Sequence, residues 1–128
     1  MANSVGYHES EDKLRKETQD NHRALTSMME ELEATDWYDQ RIDAADDPEL
    51  KAILAHNRDE EKEHACMVLE WLRRHDPKLD EFMREYLFTT GSITGREAEV
   101  EGKEAGGASA PAGGGSLGIG SLKSEVGA

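Results

Sequence analysis

Residues 48–75 read PELKAILAHNRDEEKEHACMVLEWLRRH, and the order of residue types in this stretch decides the fold. Leu50, Leu54, Asn57, Glu61, His64, Val68 and Trp71 recur at alternating spacings of four and three. That is the period of one helix face. Pro48 suits a first helical position, where its missing N–H costs nothing, and Asp76-Pro77 ends the pattern. The predicted helix has an unusual seam, because Glu61 and His64 sit on it between apolar residues at both ends. An unpaired carboxylate under cover is costly, so it shifts its pKa or finds a partner.

A second seam lies upstream. Leu14, Thr18, Asn21, Leu25, Met28, Leu32 and Thr35 repeat the same spacing. Ser10 is placed to cap this helix, with acidic Glu11 and Asp12 in its first turn, and Asp36-Trp37-Tyr38-Asp39 ends the regular pattern. A short third helix is predicted over about Lys78 to Phe88, carrying Leu79, Phe82, Met83, Tyr86 and Leu87. No strand pattern is present, so the fold class is all-α. Two helices of about 26 residues would each span about 39 Å and should form an antiparallel hairpin. Such a hairpin has an apolar seam with one side wet, and pairing two hairpins into a four-helix bundle covers it.

Composition divides the 128 residues. The net charge of −13 lies wholly in residues 1–101, because Lys103 and Lys123 balance Glu104 and Glu125 beyond them. An acidic body argues against nucleic acid and anionic membrane and favours cations. Equally, such charge can serve solubility alone. Cys66 is the single cysteine, which excludes an intrachain disulfide and suits a reducing compartment. No signal peptide or membrane-length apolar run is evident, so the chain reads as cytoplasmic. Nine of the 12 glycines follow residue 101. The expected organisation is a flexible lead-in over 1–9, a helical domain over 10–90, a flexible linker over 91–115, an apolar peptide over 116–123 and a tail over 124–128.

Glu-x-x-His is a common pattern, and position is what makes Glu61 and His64 informative. Residues three apart share a helix face, so both side chains can reach one cation. Glu31 flanks the upstream seam beside Met28 and Leu32 as a partner from the other helix. Carboxylates with one imidazole suit iron, with manganese and zinc as alternatives. The same residues could instead form a buried Glu–His hydrogen bond, or drift off the seam into solvent. Glu30 and Glu33 share a face with Trp37 one turn on, and His56, Glu60 and Glu63 form another stripe. Each group reads as a solvated face or as a set of weak cation sites around the seam. Trp37, Trp71 and the methionines read as packing residues, Cys66 as a small packing residue, and Tyr38 as a hydrogen-bond donor behind the ligands or as helix-end packing. In the tail, Leu117, Ile119 and Leu122 form an apolar knot on a Gly/Ala/Ser tether, either a docking peptide or accidental leucines.

Several runs together resemble the encapsulated ferritins. They are Glu30-Glu31-Leu32-Glu33-Ala34, Asp36-Trp37-Tyr38-Asp39-Gln40-Arg41, Asp47-Pro48-Glu49-Leu50 and the segment from Ala52 to His64, continued by Leu69 to Arg74 and Tyr86-Leu87-Phe88. Ser116 to Lys123 resembles the peptide by which cargo docks inside encapsulin shells. The resemblance implies that two hairpins dimerise into a ferritin-like four-helix bundle and that dimers assemble into a ring-shaped decamer. It further implies a di-iron ferroxidase centre, two irons per dimer, held by Glu31, Glu61 and His64 of both subunits and using O₂. Glu30, Glu33 and Trp37 match a site where iron enters, His56, Glu60 and Glu63 a peripheral metal site, and Tyr38 a tyrosine behind the ligands. The location implied is the interior of an encapsulin compartment in a bacterial-type cytoplasm. The rival readings are a rubrerythrin-like di-iron peroxidase, which usually carries a four-cysteine iron site, and a non-catalytic acidic helical adaptor.

Because the tail's apolar residues are few and far from the seams, truncation after Glu101 is expected to leave folding, assembly and iron oxidation nearly unchanged. It should eliminate loading into an encapsulin shell. Co-expression with the shell protein and shell purification checks this, and equal co-purification of both chains would refute it.

Overall fold

The structure, a computed structural model, describes residues 6–108, with side chains as far as Lys103. A 3₁₀ turn at Glu11–Lys13 precedes four helices: α1 (Lys16–Ala44), α2 (Pro48–His75), α3 (Pro77–Tyr86) and α4 (Ile93–Ala108). No strand occurs among the described residues, as the seams require. The chain divides after His75 into two units, one built on α1 and α2 and the other on α3 and α4.

In the first unit, α1 and α2 pack along each other as the predicted hairpin. Ala45–Asp47 joins them, and the Asp47 side chain accepts the Leu50 N–H at 2.8 Å, capping α2 immediately before Pro48. Two boundaries of α1 differ from expectation. Ser10 does not cap a helix. Its hydroxyl donates to Asp12 at 2.7 Å, the chain is extended at Leu14, and α1 begins at Lys16. At the other end α1 continues through Trp37–Asp39 to Ala44. Nothing there forbids helix before Pro48, and Gln40 donates to Asp36 across one turn at 3.0 Å. The Arg41 guanidinium lies over the Trp37 and Tyr38 rings, 6.0 and 5.4 Å from their centroids. In the last turns of α2, Glu70 accepts from Arg73 and Arg74 at 2.7–2.8 Å, and these bonds hold its carboxyl down to about 2 from an ordinary 4.5. A lowered carboxylate pKa contributes stability that is present above the ordinary value and lost as pH falls through about 2.

The hairpin covers little of its own apolar surface. Ala65 and Leu72 are its buried hydrophobic residues among those described, whereas Leu25, Leu32, Leu50, Ile53 and Met67 are exposed. Met67, expected in a core, is 62 % exposed, Trp37 is 48 % exposed, and Cys66 is exposed rather than packed. Two helices make one layer, and a hairpin by itself has no second layer to place over these side chains.

In the second unit, Asp76 accepts from the Lys78 and Leu79 N–H groups at 3.1 and 3.0 Å and caps α3. After Tyr86 the chain turns through Phe88 at φ 61° and Gly91 at φ 87°. Composition predicts a flexible linker from residue 91, and Ile93–Ala108 is instead helical. Ser92 starts α4 by accepting the Gly95 N–H on its hydroxyl at 3.0 Å. Val100 is buried, and two cations on α4 meet Glu85 of α3. Arg96 donates to the Glu85 carbonyl at 2.9 Å and stands 3.7 Å from its carboxylate, while Lys103 donates to that carboxylate at 3.3 Å. Glu85 is only 6 % exposed, and a charge so covered needs such partners. The expected linker gave way because these contacts offset the ordering cost that the glycines impose. A cut after Glu101 therefore also removes Lys103 from Glu85, and a cut beyond Ala108 isolates the tail. The proposed peptide over 116–123 lies outside the described residues.

Replacing Arg96 by Ala should loosen α4 by about 1.5–3 kcal/mol, the worth of hydrogen bonds to a charged group. Amide exchange over 93–103 would then rise about tenfold or more, with α1 and α2 unaffected. Unchanged protection of α4 would show that the Glu85 contacts do not hold it.

Candidate metal centre

Helix α1 presents Glu31, and α2 presents Glu61 and His64 from successive turns. One ligand atom from each residue falls within 4.8 Å of the others. His64 Nδ1 stands 3.6 Å from a carboxylate oxygen of Glu31 and 3.6 Å from one of Glu61. These separations are too long for hydrogen bonds and suit groups converging on a shared point. The alternative of a closed Glu–His hydrogen bond is thus not what the geometry shows. Nor does the seam drift into solvent, since the Glu31 and Glu61 side chains are each 25 % exposed and that of His64 is 42 % exposed.

Glu31 carries the strongest sign of an unmet need. Its Oε2 is buried and has no hydrogen-bond partner. Hydrogen bonding with Glu61, burial and the Glu61 charge all push the Glu31 carboxyl above its ordinary range, and His64 opposes them. Two carboxylates with an imidazole, one carboxylate oxygen being buried without a hydrogen bond, are a fitting donor set for a divalent first-row metal ion. Three donors leave positions open on an ion that takes roughly four to six ligands.

The remaining candidates do not join this cluster. Glu30 is exposed, Glu33 half-buried and Trp37 exposed, all on α1. His56 Nε2 lies 2.6 Å from a carboxylate oxygen of Glu60 on α2, and Glu63 is exposed. Among the described residues, Glu31, Glu61 and His64 form the group that could hold a metal ion. Tyr38 is half-buried beneath Arg41. The sequence reading missed Arg58, which donates from α2 to Asp39 of α1 at 2.9 Å and to Asp59 at 3.0 Å. Its signal was available, since an arginine three residues before a seam glutamate lies on the same flank of the helix.

A long helical hairpin with carboxylates and an imidazole facing inward belongs to the ferritin-like class of helical proteins. The match to known proteins is more specific. Residues 6–90 fit the EncFtn-like family, and the chain belongs to that family of encapsulated-ferritin-like proteins. The chain is 62 % identical over 124 residues to an encapsulated ferritin-like protein of Rhodospirillum rubrum, covering 93 % of this chain and 89 % of that one. It is 51 % identical over 96 residues to a ferritin-like protein of Thermotoga maritima, covering 75 % and 84 %. A Myxococcus xanthus protein called encapsulin nanocompartment cargo protein EncC is 40 % identical over 86 residues, 64 % of this chain and 65 % of that one. The crystal structure of protein ne0167 from Nitrosomonas europaea superposes with a TM-score of 0.67 at 60 % identity, covering 69 % of this chain and 97 % of that chain.

Replacing Glu31 by Gln should stabilise the metal-free protein by up to about 1 kcal/mol while removing a metal donor, as expected where a site stores unfavourable charge. The sign follows from linkage. A carboxyl raised in the fold favours folding below its unfolded value of 4.5, and that advantage is lost as pH rises through the folded value. Thermal unfolding in excess chelator checks this, with the gain present at pH 7 and absent at pH 4. A lower midpoint for Glu31→Gln at pH 7 would contradict it.

Proposed function

We propose that this protein is a ferroxidase whose substrate is Fe²⁺. The observation that carries the reading is the convergence of Glu31, one of whose oxygens is buried without a hydrogen bond, on Glu61 and His64 of the facing helix. The mixed carboxylate and imidazole set suits iron, and membership of an encapsulated-ferritin-like family points the same way. Ferrous ions bound together supply electrons to O₂ and leave as Fe³⁺. The protein's part is to gather and orient. Glu31 and Glu61 bring negative charge that favours the higher oxidation state, and His64 directs Nδ1 at the same point.

One chain provides half a site for two irons. A second copy facing it would double the donors to four carboxylates and two imidazoles, giving two irons per dimer. That copy would also cover the exposed Leu25, Leu32 and Met67. Further association of such dimers into a ring-shaped decamer accords with the family. Glu30, Glu33 and Trp37 then serve as a route by which iron enters, His56, Glu60 and Glu63 as a peripheral site, and Tyr38 supports the ligands from behind. Mineral storage falls to an encapsulin shell, a reading supported by the cargo relative and by Leu117, Ile119 and Leu122 at the end of the chain. The working place is the interior of that shell in the cytoplasm. No helix among the described residues is long and apolar enough to cross a membrane.

Replacing Glu61 by Ala should abolish coupled oxidation of Fe²⁺ in air, followed by absorbance, because the residue is counted twice in each dimer. The same change should remove the growth in assembled mass that Fe²⁺ produces in native mass spectrometry, since the cation offsets carboxylate repulsion. Glu30→Ala should change the rate of delivery and leave the two-iron stoichiometry intact. Wild-type oxidation by Glu61→Ala would overturn the ligand assignment.

A further inference from the structure

The three converging side chains come from two helices, so their spacing depends on how α1 stands against α2. Sliding by one residue would displace Glu31 by about 1.5 Å along the axis and swing it by about 100°. The apolar contacts of the hairpin are a weak guard against this. Among the described residues Ala65 and Leu72 are its buried hydrophobic residues, and the rest of the apolar seam is half-buried or exposed. Apolar contact is also non-directional.

Arg58 supplies direction. It sits one turn before Glu61, and its Nη1 donates to Asp39 Oδ1 on α1 at 2.9 Å while Nε donates to Asp59 Oδ1 at 3.0 Å. Its side chain is 25 % exposed, against 53 % for Asp39 and 63 % for Asp59, so the arginine stem is packed and its head is held from both sides. A planar guanidinium bonded through two nitrogens fixes an angle as well as a distance. Asp39 also follows Tyr38, which lies under Arg41 on the same turns of α1.

We propose that Arg58 is a positioning residue for the metal centre: by tying Asp39 of α1 to α2, it sets the register at which Glu31 stands level with Glu61 and His64. The proposal rests on the metal reading above. It assigns Asp59 the role of orienting the guanidinium, since that carboxylate shares Arg58's own helix and cannot fix register. Lysine at this position keeps the charge but offers a point donor on a flexible stem, so it should restore the tie only in part.

The test uses the full chain with Arg58→Ala, Arg58→Lys, Asp39→Ala, Asp39→Asn and the double variant Arg58→Ala/Asp39→Ala, all checked for helicity. Co²⁺ is the probe, because its visible absorption reports coordination geometry without turnover. Arg58→Ala should bind Co²⁺ about tenfold more weakly, or worse, with an altered band, as loss of a supporting partner does at metal sites. Asp39→Ala should match it, Arg58→Lys should recover part of the affinity, and the double variant should be no worse than either single one. Should Arg58→Ala fail to fold, Arg58→Lys and Asp39→Asn carry the same test. Wild-type affinity and spectrum in the Arg58 and Asp39 variants, or additive losses in the double variant, would overturn the positioning role while leaving the metal reading intact. Failure of the wild-type protein to take up Co²⁺ would overturn both.

Discussion

Two carboxylates held side by side between facing helices are the constraint from which the rest of this structure follows. Glu61 and burial push the Glu31 carboxyl up, His64 opposes them from 3.6 Å, and one Glu31 oxygen is buried without a hydrogen bond. A fold keeps such an arrangement at a cost to its own stability. A cation converts the same repulsion into attraction, so the proposed iron is as much a structural completion as a substrate. The proximity also explains why each donor comes to the cluster from a helix rather than a loop. Rods hold charges against one another, whereas loops let them part.

The hairpin is incomplete in a second way. Its apolar seam is only partly covered, with Leu25, Leu32 and Leu50 exposed and Met28, Leu54, Val68 and Trp71 half-buried. In the proposed function, a further copy of the chain against this face both completes the donor set and covers the seam. In the proposed dimer, hydrophobic burial and metal ligation thus act together, each weak in the single chain. Arg58 and Asp39 matter in this light because a seam with few buried contacts needs a directional bond to hold its register.

The unit from α3 to α4 obeys a different logic. Glu85 is covered and charged, and it is satisfied by Arg96 and Lys103 reaching from the next helix. Charge rather than apolar area holds α4 to α3. This suits a segment so poor in large hydrophobic residues, of which Val100 is the buried representative.

Much of the fold was legible in the seams. Leu50, Leu54, Val68 and Trp71 on one stretch, and Leu25, Met28 and Leu32 on another, marked two long helices and an all-α class, because a period of 3.6 residues has one structural meaning. Pro48, Asp76 and Pro77 marked their ends by chemistry that is local to the chain. Glu61 and His64 were legible as a pair for the same reason, with Glu31 beside the upstream seam as their partner, and the resemblance of residues 10–90 to encapsulated ferritins implied that the three act as one ligand set. Other features depended on partners distant in sequence. The helix over Ile93–Ala108 escaped notice because its glycines speak against helix, and what stabilises it is Glu85, far back on another helix. The exposure of Met67 and Cys66 could not be read from periodicity, which gives a face but not what covers it. The convergence of Glu31 with Glu61 and His64 within 4.8 Å, and the tie from Arg58 to Asp39, were decided by tertiary structure alone. Local sequence sets which side of a helix a residue occupies, but the register between two helices belongs to neither of them.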